Sequence, residues 1–287
     1  MKKRILILAG GVASRMKKDA QDIQHIEKEL IDQANTLTKG MIGLGKEGKS
    51  LIDYQLYNAS VAGVEEVLLL LHPNDSFTQP YYENLVQTGK HWGLTFFFAR
   101  QTISQDRIKP AGTADAVWQA LQQHPQWQKG RTIVCNSDNL YSVKALEVLW
   151  NCPHTNALVS YDRDSLDFPL ERIKAFAIIE PDEQGFLHKI IEKPSEQQAE
   201  EVLQKYGRIG VSMNAFVLEA EDILPALVQT PFHPERNEKE LPTSLSMMNE
   251  VFHKKIYCIP LAENVPDLTS KHDIETVKAY LEETYSF

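Results

Sequence analysis

The chain has 287 residues, of which 43% are hydrophobic and 24% are charged, and its formal net charge is −9 at pH 7. This length allows one large α/β domain or two small ones. The acidic balance argues against a general binder of nucleic-acid backbones, because such proteins usually carry a basic face.

The first strand is predicted at Ile5–Leu8, where four consecutive aliphatic residues indicate a strand buried on both faces of a parallel sheet. In the loop after this strand, Gly10 and Gly11 remove side chains, so that backbone N–H groups can converge on a phosphate. Arg15 adds a cation with a planar fork that suits phosphate oxygens. An ordinary strand-to-helix turn with a surface arginine is the alternative, and the loop alone does not decide between them.

A polar segment over 17–38 comes next, with the weak helical spacing of an insertion above the first strand (Ile23, Ile26, Leu30 and Ile31). Residues 43–50 then match the P-loop pattern letter for letter. A true P-loop comes directly after a buried strand, whereas a long polar stretch precedes this one. We therefore favour Lys49-Ser50 as the opening of a helix over 51–62 and keep the P-loop as the alternative.

Strands and helices then alternate, which predicts βαβ units around a mostly parallel sheet. Strands are expected over 64–72, 94–100 and 132–136, and helices over 79–92, 113–123 and 142–150. Ligands of such sheets bind at the carboxyl ends of the strands. The chemistry is therefore expected in the loops after Leu8, Arg100 and Asn136.

The second half is predicted to be richer in strands, with few helices between them. Strands are expected over 155–161, 175–180, 187–192, 209–218 and 255–260, and helices over 195–206 and 270–283. Asp182–Gly185 is a hairpin turn signal. These features indicate a mixed extension of the sheet that carries the site of a second substrate.

Two short motifs lie in the first half, one at the start of a helix and one at the end of a strand. Gly112 would let a flat ligand approach the backbone and Thr113 could cap the helix after it, although a plain helix start explains both. Asp138 comes directly after a buried strand, where a carboxylate can bind Mg²⁺ or, alternatively, cap the next turn.

Two further motifs lie in the second half. In Glu192-Lys193-Pro194 the glutamate can accept hydrogen bonds from sugar hydroxyls and the lysine can hold a phosphate, with a solvated ion pair as the alternative. Asp267 precedes a helix that Thr269 or Ser270 would cap. Pairing with that helix N-terminus is its alternative role.

In this order the motifs resemble those of the sugar-phosphate nucleotidylyltransferases, which make NDP-sugars from a nucleoside triphosphate and a sugar 1-phosphate. The resemblance covers nearly the whole chain. It rests on residues 8–16, Thr38-Lys39, residues 48–54, Gly112-Thr113-Ala114, Ser137-Asp138-Asn139, Glu192-Lys193-Pro194 and Asp267. It implies a Rossmann-like three-layer α/β/α fold of the GT-A type with a mostly parallel central mixed sheet. The chain would be a single domain over 1–287, with a nucleotide-binding part over 1–150 and a sugar-phosphate-binding part over 151–287.

The resemblance also implies roles for individual residues. Arg15, Lys39 and Asp138 would be catalytic, and Asp138 and Asp267 would share a Mg²⁺ ion. The nucleotide would be bound by Ala9, Gly10, Gly11, Arg15, Gln101, Gly112 and Thr113. The sugar phosphate would be bound by Asn139, Glu192, Lys193 and Asn214.

The chain departs from the family pattern in four places. The spacing from Met16 to Lys39 is longer, which leaves a lid or a contact in a homo-oligomer as roles for the insertion. Thr38 replaces a proline, Ala177 stands where the family often has glycine, and Asp267 lacks the usual following Gly-Thr. These differences keep open a regulatory module that binds nucleotide sugars without turnover.

The location is expected to be cytoplasmic, with no membrane partner. Cys135, Cys152 and Cys258 are odd in number and lack metal-ligand spacing, which is typical of reduced thiols. The apolar run after Arg4 is too short for a signal peptide, and no stretch approaches the length of a membrane span.

Overall fold

In the computed structural model, which describes residues 2–11, 15–18 and 26–286, these residues form one nine-stranded sheet. The strands are β1 (Arg4–Ala9), β2 (Glu66–Leu71), β3 (Thr95–Arg100), β4 (Arg131–Asn136), β5 (Asn156–Asp162), β6 (Ile178–Pro181), β7 (Leu187–Ile191), β8 (Gly210–Glu219) and β9 (Ile256–Leu261). Every strand predicted from the sequence is present, with ends that differ by up to three residues. The mixed, strand-rich second half is confirmed.

The order of the main sheet is β3-β2-β1-β4-β8-β5-β9. Strands β1 to β4 are parallel to one another, β8 runs antiparallel to β4 and β5, and the β6–β7 hairpin attaches to β8. Leu8 pairs in register with both Leu70 and Asn136. Arg100 of β3 pairs in parallel register with Leu71. The carboxyl ends of β1, β3 and β4 therefore lie at one edge, as the sequence predicts.

Helices cover both faces of the sheet. They are α1 (Lys28–Thr36), α2 (Leu51–Val61), α3 (Thr78–Gln87), α4 (Thr113–Gln123), α5 (Val143–Trp150), α6 (Leu170–Lys174), α7 (Glu196–Tyr206), α8 (Ala220–Gln229), α9 (Leu241–Glu250) and α10 (Ile274–Thr284). The side chains of β2 alternate between two apolar clusters: Leu69 belongs to the cluster that includes residues of α2, α3, α5 and α7, and Leu70 to the cluster that includes residues of α4, α8 and α9. This is the predicted three-layer α/β/α arrangement.

The expectation of few helices in the second half is wrong, because α6, α8 and α9 were not predicted. Pro225 lies inside α8, and Pro242 lies in the first turn of α9. Proline in a helix interior usually indicates a break, whereas the first turn tolerates it, so only Pro225 opposes its helix. Tertiary burial outweighs that signal in α8, since Ile223 is almost fully buried in the same apolar cluster as Leu245 of α9.

The P-loop alternative for residues 43–50 is contradicted by the backbone before it. Residues 39–41 form a 3-10 turn and no strand of the described residues enters the motif. Ser50 instead caps α2 in a capping box with Asp53, which confirms the predicted helix start. In the insertion, α1 confirms the helical spacing over residues 28–36, whereas Ile23 lies outside the described residues.

A buried carboxylate, Asp53, ties α2 to α3. It accepts hydrogen bonds from the Ser50 N–H at 2.7 Å, the Tyr81 hydroxyl at 2.9 Å and the Tyr82 hydroxyl at 3.0 Å. Burial raises the pKa of Asp53, although these three donors lower it in part. The folded state therefore holds this proton more tightly than the unfolded chain does.

This shift predicts how stability changes with pH. The contribution of Asp53 is fully present below the unfolded pKa of about 3.9 and is lost as pH rises through the higher folded-state pKa. Asp53→Asn removes the titration, so the stability of the wild type relative to this variant should fall as pH rises across that window. Urea unfolding of both proteins at a series of pH values measures the difference. A difference that rises with pH would contradict the expectation.

The three cysteines are buried free thiols. Among the helices of the described residues, none combines the length and the apolar character that crossing a bilayer requires.

Candidate active site

A cavity of about 250 Å³ opens at the carboxyl edge of β1 to β4. Its walls are Leu8, Ala9, Gly10, Gly11, Thr38, Lys39, Leu70, Gln101, Lys109, Pro110, Gly112, Thr113, Ala116, Asn136, Ser137, Asp138 and Glu238. The loops after β1, β3 and β4 all contribute to these walls, so the three loops named from the sequence line one cavity. Eight of the residues expected at the site therefore share one cavity: Ala9, Gly10, Gly11, Lys39, Gln101, Gly112, Thr113 and Asp138.

The floor of the cavity is made of small residues at the end of β1. Gln101 is buried and packs so closely on Gly10 that a β-carbon there would lie 2.6 Å from the Gln101 Oε1. Gly11 is exposed, and its missing side chain leaves open space. The Gln101 side chain therefore occupies the space beside Gly10, and a flat or anionic group can approach the backbone at Gly11.

One end of the cavity carries an ion pair between two residues expected to be catalytic. The Lys39 Nζ lies 2.6 Å from the Asp138 Oδ2, and both side chains are mostly buried. Lys39 opens the turn after the insertion, and Asp138 comes after β4. A cation is therefore held next to the glycine floor by a carboxylate at a strand end.

Asp267 lies beside this pair, although it is distant in sequence. The Leu268 N–H donates to the Asp138 carbonyl at 2.8 Å, and Asn139 forms an isolated antiparallel bridge with Asp267. The Asp267 carboxylate accepts a hydrogen bond from the Thr269 hydroxyl at 2.6 Å and lies 3.1 Å from an Arg172 Nη2. Arg172, on α6, carries no motif that marks it in the sequence.

Burial raises the pKa of the Asp267 carboxyl, and the negative charge of Asp138 raises it further. The Thr269 hydroxyl and the charges of Arg172 and Lys39 act in the opposite direction. The two aspartates are thus close enough to repel each other, and nearby cations reduce that repulsion.

The other end of the cavity is built by Gln101 and the start of α4. The Gln101 side chain lies within 3.5 Å of the Gly112 carbonyl oxygen. The expected cap of α4 by Thr113 is wrong: Gly112 occupies the N-cap position, and the Thr113 hydroxyl instead accepts a hydrogen bond from the Leu241 N–H at 2.9 Å. The Thr113 hydroxyl therefore bonds to Leu241, 128 residues later in the chain, and does not cap its own helix.

Gly112 is required here by both conformation and space. Its φ is +112°, and a β-carbon would overlap the carbonyl oxygen of Lys239. Gly112→Ala should cost about 1–2 kcal/mol for the backbone conformation and about 1–3 kcal/mol more for overpacking, and it should weaken nucleotide binding. Denaturant unfolding and calorimetric titration with nucleoside triphosphates measure the two effects.

Gly89→Ala is the matched control, because Gly89 has φ +72° and open space around its Cα. It should show the cost of the backbone conformation alone. Equal destabilisation in the two variants, with nucleotide binding unchanged in both, would contradict the role given to Gly112.

A wall of the cavity that the sequence did not reveal comes from residues 236–241. Glu238 pairs with Lys109 at 2.6 Å, and the Lys239 N–H donates to the Ala111 carbonyl at 2.6 Å. The sequence shows this segment only as an irregular polar stretch near Pro231 to Glu240. Neither residue type nor spacing indicates that Glu238 faces a lysine 129 positions earlier.

The remaining site residues lie outside the walls of this cavity. Arg15, Glu192 and Lys193 are exposed, and Lys193 has φ +46°. Asn139 is buried at 4% exposure, and Asn214, with φ +55°, places its carbonyl oxygen 3.1 Å from the Tyr141 hydroxyl.

Glu192 is nonetheless linked electrostatically to the 236–241 wall. The pKa of Glu240 is raised mainly by burial, and the negative charge of Glu192 adds to the effect. The roles of Arg15, Asn139, Glu192, Lys193 and Asn214 toward substrates stay predictions.

Comparison with protein-family models matches residues 29–251 to the model described as nucleotidyl transferase. Among curated proteins, a glucose-1-phosphate adenylyltransferase of Vibrio parahaemolyticus is 25% identical over 227 residues, which are 78% of this chain and 51% of the relative. A glucose-1-phosphate adenylyltransferase of Vibrio cholerae is 24% identical over 283 residues, which are 96% of this chain and 64% of the relative. The chain thus spans between about half and two thirds of the length of these two relatives.

Two solved structures share the fold. The UTP-bound UGPase from Acinetobacter baumannii has a TM-score of 0.69 and 17% sequence identity, covering 100% of this chain and 95% of that one. A UDP-glucose pyrophosphorylase complexed with UDP-glucose has the same TM-score and identity, covering 99% and 100%. At this identity the likeness is one of fold.

Proposed function

The chain belongs to the nucleotidyl transferase family, and from this premise we propose that it joins a nucleoside triphosphate to a sugar 1-phosphate, giving an NDP-sugar and pyrophosphate. The observation that carries the proposal is the cavity of about 250 Å³ at the strand ends. It combines a floor of small residues, the buried Gln101 and the Lys39–Asp138 ion pair. The names of the curated relatives and of the structural neighbours support the sugar 1-phosphate as the second substrate.

In the proposed reaction an oxygen of the sugar 1-phosphate attacks the α-phosphorus in line, and pyrophosphate leaves. Both reactants are anions, so catalysis requires orientation and neutralisation of charge more than a protein nucleophile. The N–H groups of Gly10 and Gly11 would orient the phosphates, and Lys39 would neutralise part of their charge. Gln101 and the Gly112 backbone would contact the base.

We propose Mg²⁺ as the cofactor, held by Asp138 and Asp267. In proteins Mg²⁺ is usually bound by one or two carboxylates together with substrate phosphates, and these two carboxylates fit that number. The pKa of Asp267 is raised mainly by burial and further by the charge of Asp138, and this repulsion between the two carboxylates supports a cation between them. When bound, Mg²⁺ would supply charge neutralisation at the phosphates. Among the described residues no cluster of three or more potential metal ligands is found, so substrate oxygens would complete the coordination.

The division of the domain rests on the same proposal. Residues 1–150 would bind the nucleotide, and residues 151–287 would bind the sugar phosphate through Glu192, Lys193 and Asn214, together with Asn139 from the first part. A cytoplasmic location, in keeping with the free cysteines, is proposed as well.

The test is a matrix of nucleoside triphosphates against hexose, hexosamine and N-acetylmuramic acid 1-phosphates with Mg²⁺, read as pyrophosphate release. Every positive combination is repeated with EDTA. One strong combination that EDTA abolishes is the expected result. Nucleotide-sugar binding with no pyrophosphate release in any combination would contradict the proposal and favour the regulatory module.

A further inference from the structure

The Lys109–Glu238 ion pair lines the same end of the nucleotide cavity as Gln101 and Gly112. The Lys239 backbone, next to Glu238, is close enough to Gly112 to overlap a β-carbon there, and Gly112 is where the proposed function places the base. Both residues line the cavity and are partly exposed, with side-chain exposures of 42% for Lys109 and 33% for Glu238. The inference that this ion pair recognises a base rests on the proposed function, because that function requires a nucleotide in the cavity.

The backbone around the pair is fixed by three hydrogen bonds between two chain segments. The Lys239 N–H donates to the Ala111 carbonyl at 2.6 Å, the Ala114 N–H donates to the Lys239 carbonyl at 2.9 Å, and the Leu241 N–H donates to the Thr113 hydroxyl. Glu238 lies next to the first two of these bonds in sequence. The segment that carries Glu238 is therefore held by backbone hydrogen bonds. This favours a fixed orientation of its carboxylate toward a ligand.

Both members of the pair keep hydrogen-bonding capacity for a ligand. The Lys109 Nζ donates to the Glu238 Oε1 at 2.6 Å and to the Arg236 carbonyl at 3.1 Å, which uses two of its three protons. The third proton, and the Oε2 of Glu238, have no hydrogen-bond partner among residues 2–11, 15–18 and 26–286. The pair thus presents a donor next to a carboxylate acceptor.

We infer that Lys109 and Glu238 select guanine, so that the preferred nucleotide is GTP. The Watson–Crick edge of guanine carries a carbonyl oxygen followed by two N–H donors, which is the complement of an ammonium group beside a carboxylate. Lys109 donates to the carbonyl oxygen, and Glu238 accepts the two neighbouring N–H groups in parallel. Bidentate pairing of this kind discriminates between bases by about 1–3 kcal/mol in nucleic-acid recognition, or about 5- to 150-fold.

The other bases match the pair less completely. Uracil and thymine offer one carbonyl oxygen and one N–H, but their second carbonyl oxygen faces the carboxylate and repels it. Adenine and cytosine fit only in the reverse order, with one N–H to Glu238 and one ring nitrogen for Lys109. Of these bases, guanine alone accepts a hydrogen bond from the Lys109 ammonium group and donates to both carboxylate oxygens of Glu238.

The experiment is equilibrium binding of GTP, ATP, CTP and UTP to the full chain by calorimetry, run beside the pyrophosphate-release matrix. GTP should bind about 5- to 150-fold more tightly than UTP. This result would support the inference even if no sugar 1-phosphate were turned over, an outcome that contradicts only the proposed function. Tighter binding of UTP or ATP than of GTP would overturn the inference, even with full nucleotidyltransferase activity.

Two variants test the pair itself. Glu238→Gln keeps the shape of the side chain but accepts only one of the two N–H bonds, so GTP affinity should fall about 5- to 150-fold while UTP affinity is kept or rises. Lys109→Met should lower GTP affinity with the fold retained. Glu180→Gln is the matched control, because Glu180 pairs with Lys205 at 3.1 Å outside the cavity. An unchanged ratio of GTP to UTP affinity in Glu238→Gln would overturn the inference.

Discussion

Asp138→Asn should lower turnover by about 10²- to 10³-fold, the usual cost of removing one preorganised charge-stabilising group from an active site. The affinity for the nucleoside triphosphate, measured without metal, should be unchanged or higher. Two effects act in that direction: the amide removes a negative charge near the phosphates, and Lys39 loses the carboxylate that holds it at 2.6 Å. A loss confined to turnover is the expected behaviour of a carboxylate that binds the metal and positions the lysine.

The matched control is Asp222→Asn. Asp222 lies on α8 outside the cavity, pairs with Lys254 at 2.7 Å and accepts a hydrogen bond from Asn156, so the same chemical change removes a comparable ion pair. Its turnover should stay near that of the wild type. Near-normal, EDTA-sensitive turnover in Asp138→Asn would remove this residue from the metal site, whereas equal losses in both variants would point to a general defect in folding.

Much of the fold could be predicted because its signals are local. The aliphatic run of β1 and the unbroken apolar stretch of β2 each indicate strands buried on both faces, and the structure buries them between two helical layers. The capping box of Ser50 and Asp53 is likewise contained in four residues, so the start of α2 could be placed correctly.

The parts that could not be predicted depend on contacts between distant segments. Helix α8 contains Pro225 in its interior, and the burial of its apolar residues outweighs this local signal against a helix. Thr113 has the chemistry of a helix cap, but Leu241 takes its hydroxyl.

The candidate site divides in the same way. Residues at strand ends, such as Gly10 and Asp138, could be expected there because parallel strands bring their carboxyl ends to one edge. Glu238 could not, since only the backbone pairing of residues 236–241 with the start of α4 brings it to Lys109. Arg172 reaches Asp267 in the same way, from a five-residue helix that has no strong sequence signal.

Lys39→Met should weaken both binding of the nucleoside triphosphate and turnover, with kcat/KM about 10²- to 10³-fold lower. Lys39 is the cation that the structure places against Asp138 in the cavity, so its loss removes positive charge from the phosphates. It also leaves Asp138 and Asp267 with less compensation for their mutual repulsion, because Lys39 is one of the two cations that lower the pKa of Asp267. The affinity for the metal-free nucleoside triphosphate should therefore distinguish the two variants: it should fall in Lys39→Met and stay unchanged or rise in Asp138→Asn.

A double variant shows whether the two residues act as a unit. Since Lys39 and Asp138 are in direct contact, their effects on turnover should not add. The turnover of Lys39→Met/Asp138→Asn should be only slightly lower than that of the less active single variant. Steady-state kinetics and calorimetric titration with the nucleoside triphosphate are measured for the wild type, both single variants and the double variant, which together form a double-mutant cycle. Fully additive losses would mean that Lys39 and Asp138 contribute independently, and the ion pair would then be a feature of the ligand-free protein with no part in the reaction. The expected result is that the losses in turnover are not additive, while nucleotide affinity falls in Lys39→Met and rises in Asp138→Asn. This would mean that Lys39 leaves Asp138 and binds phosphate oxygens when the nucleotide binds.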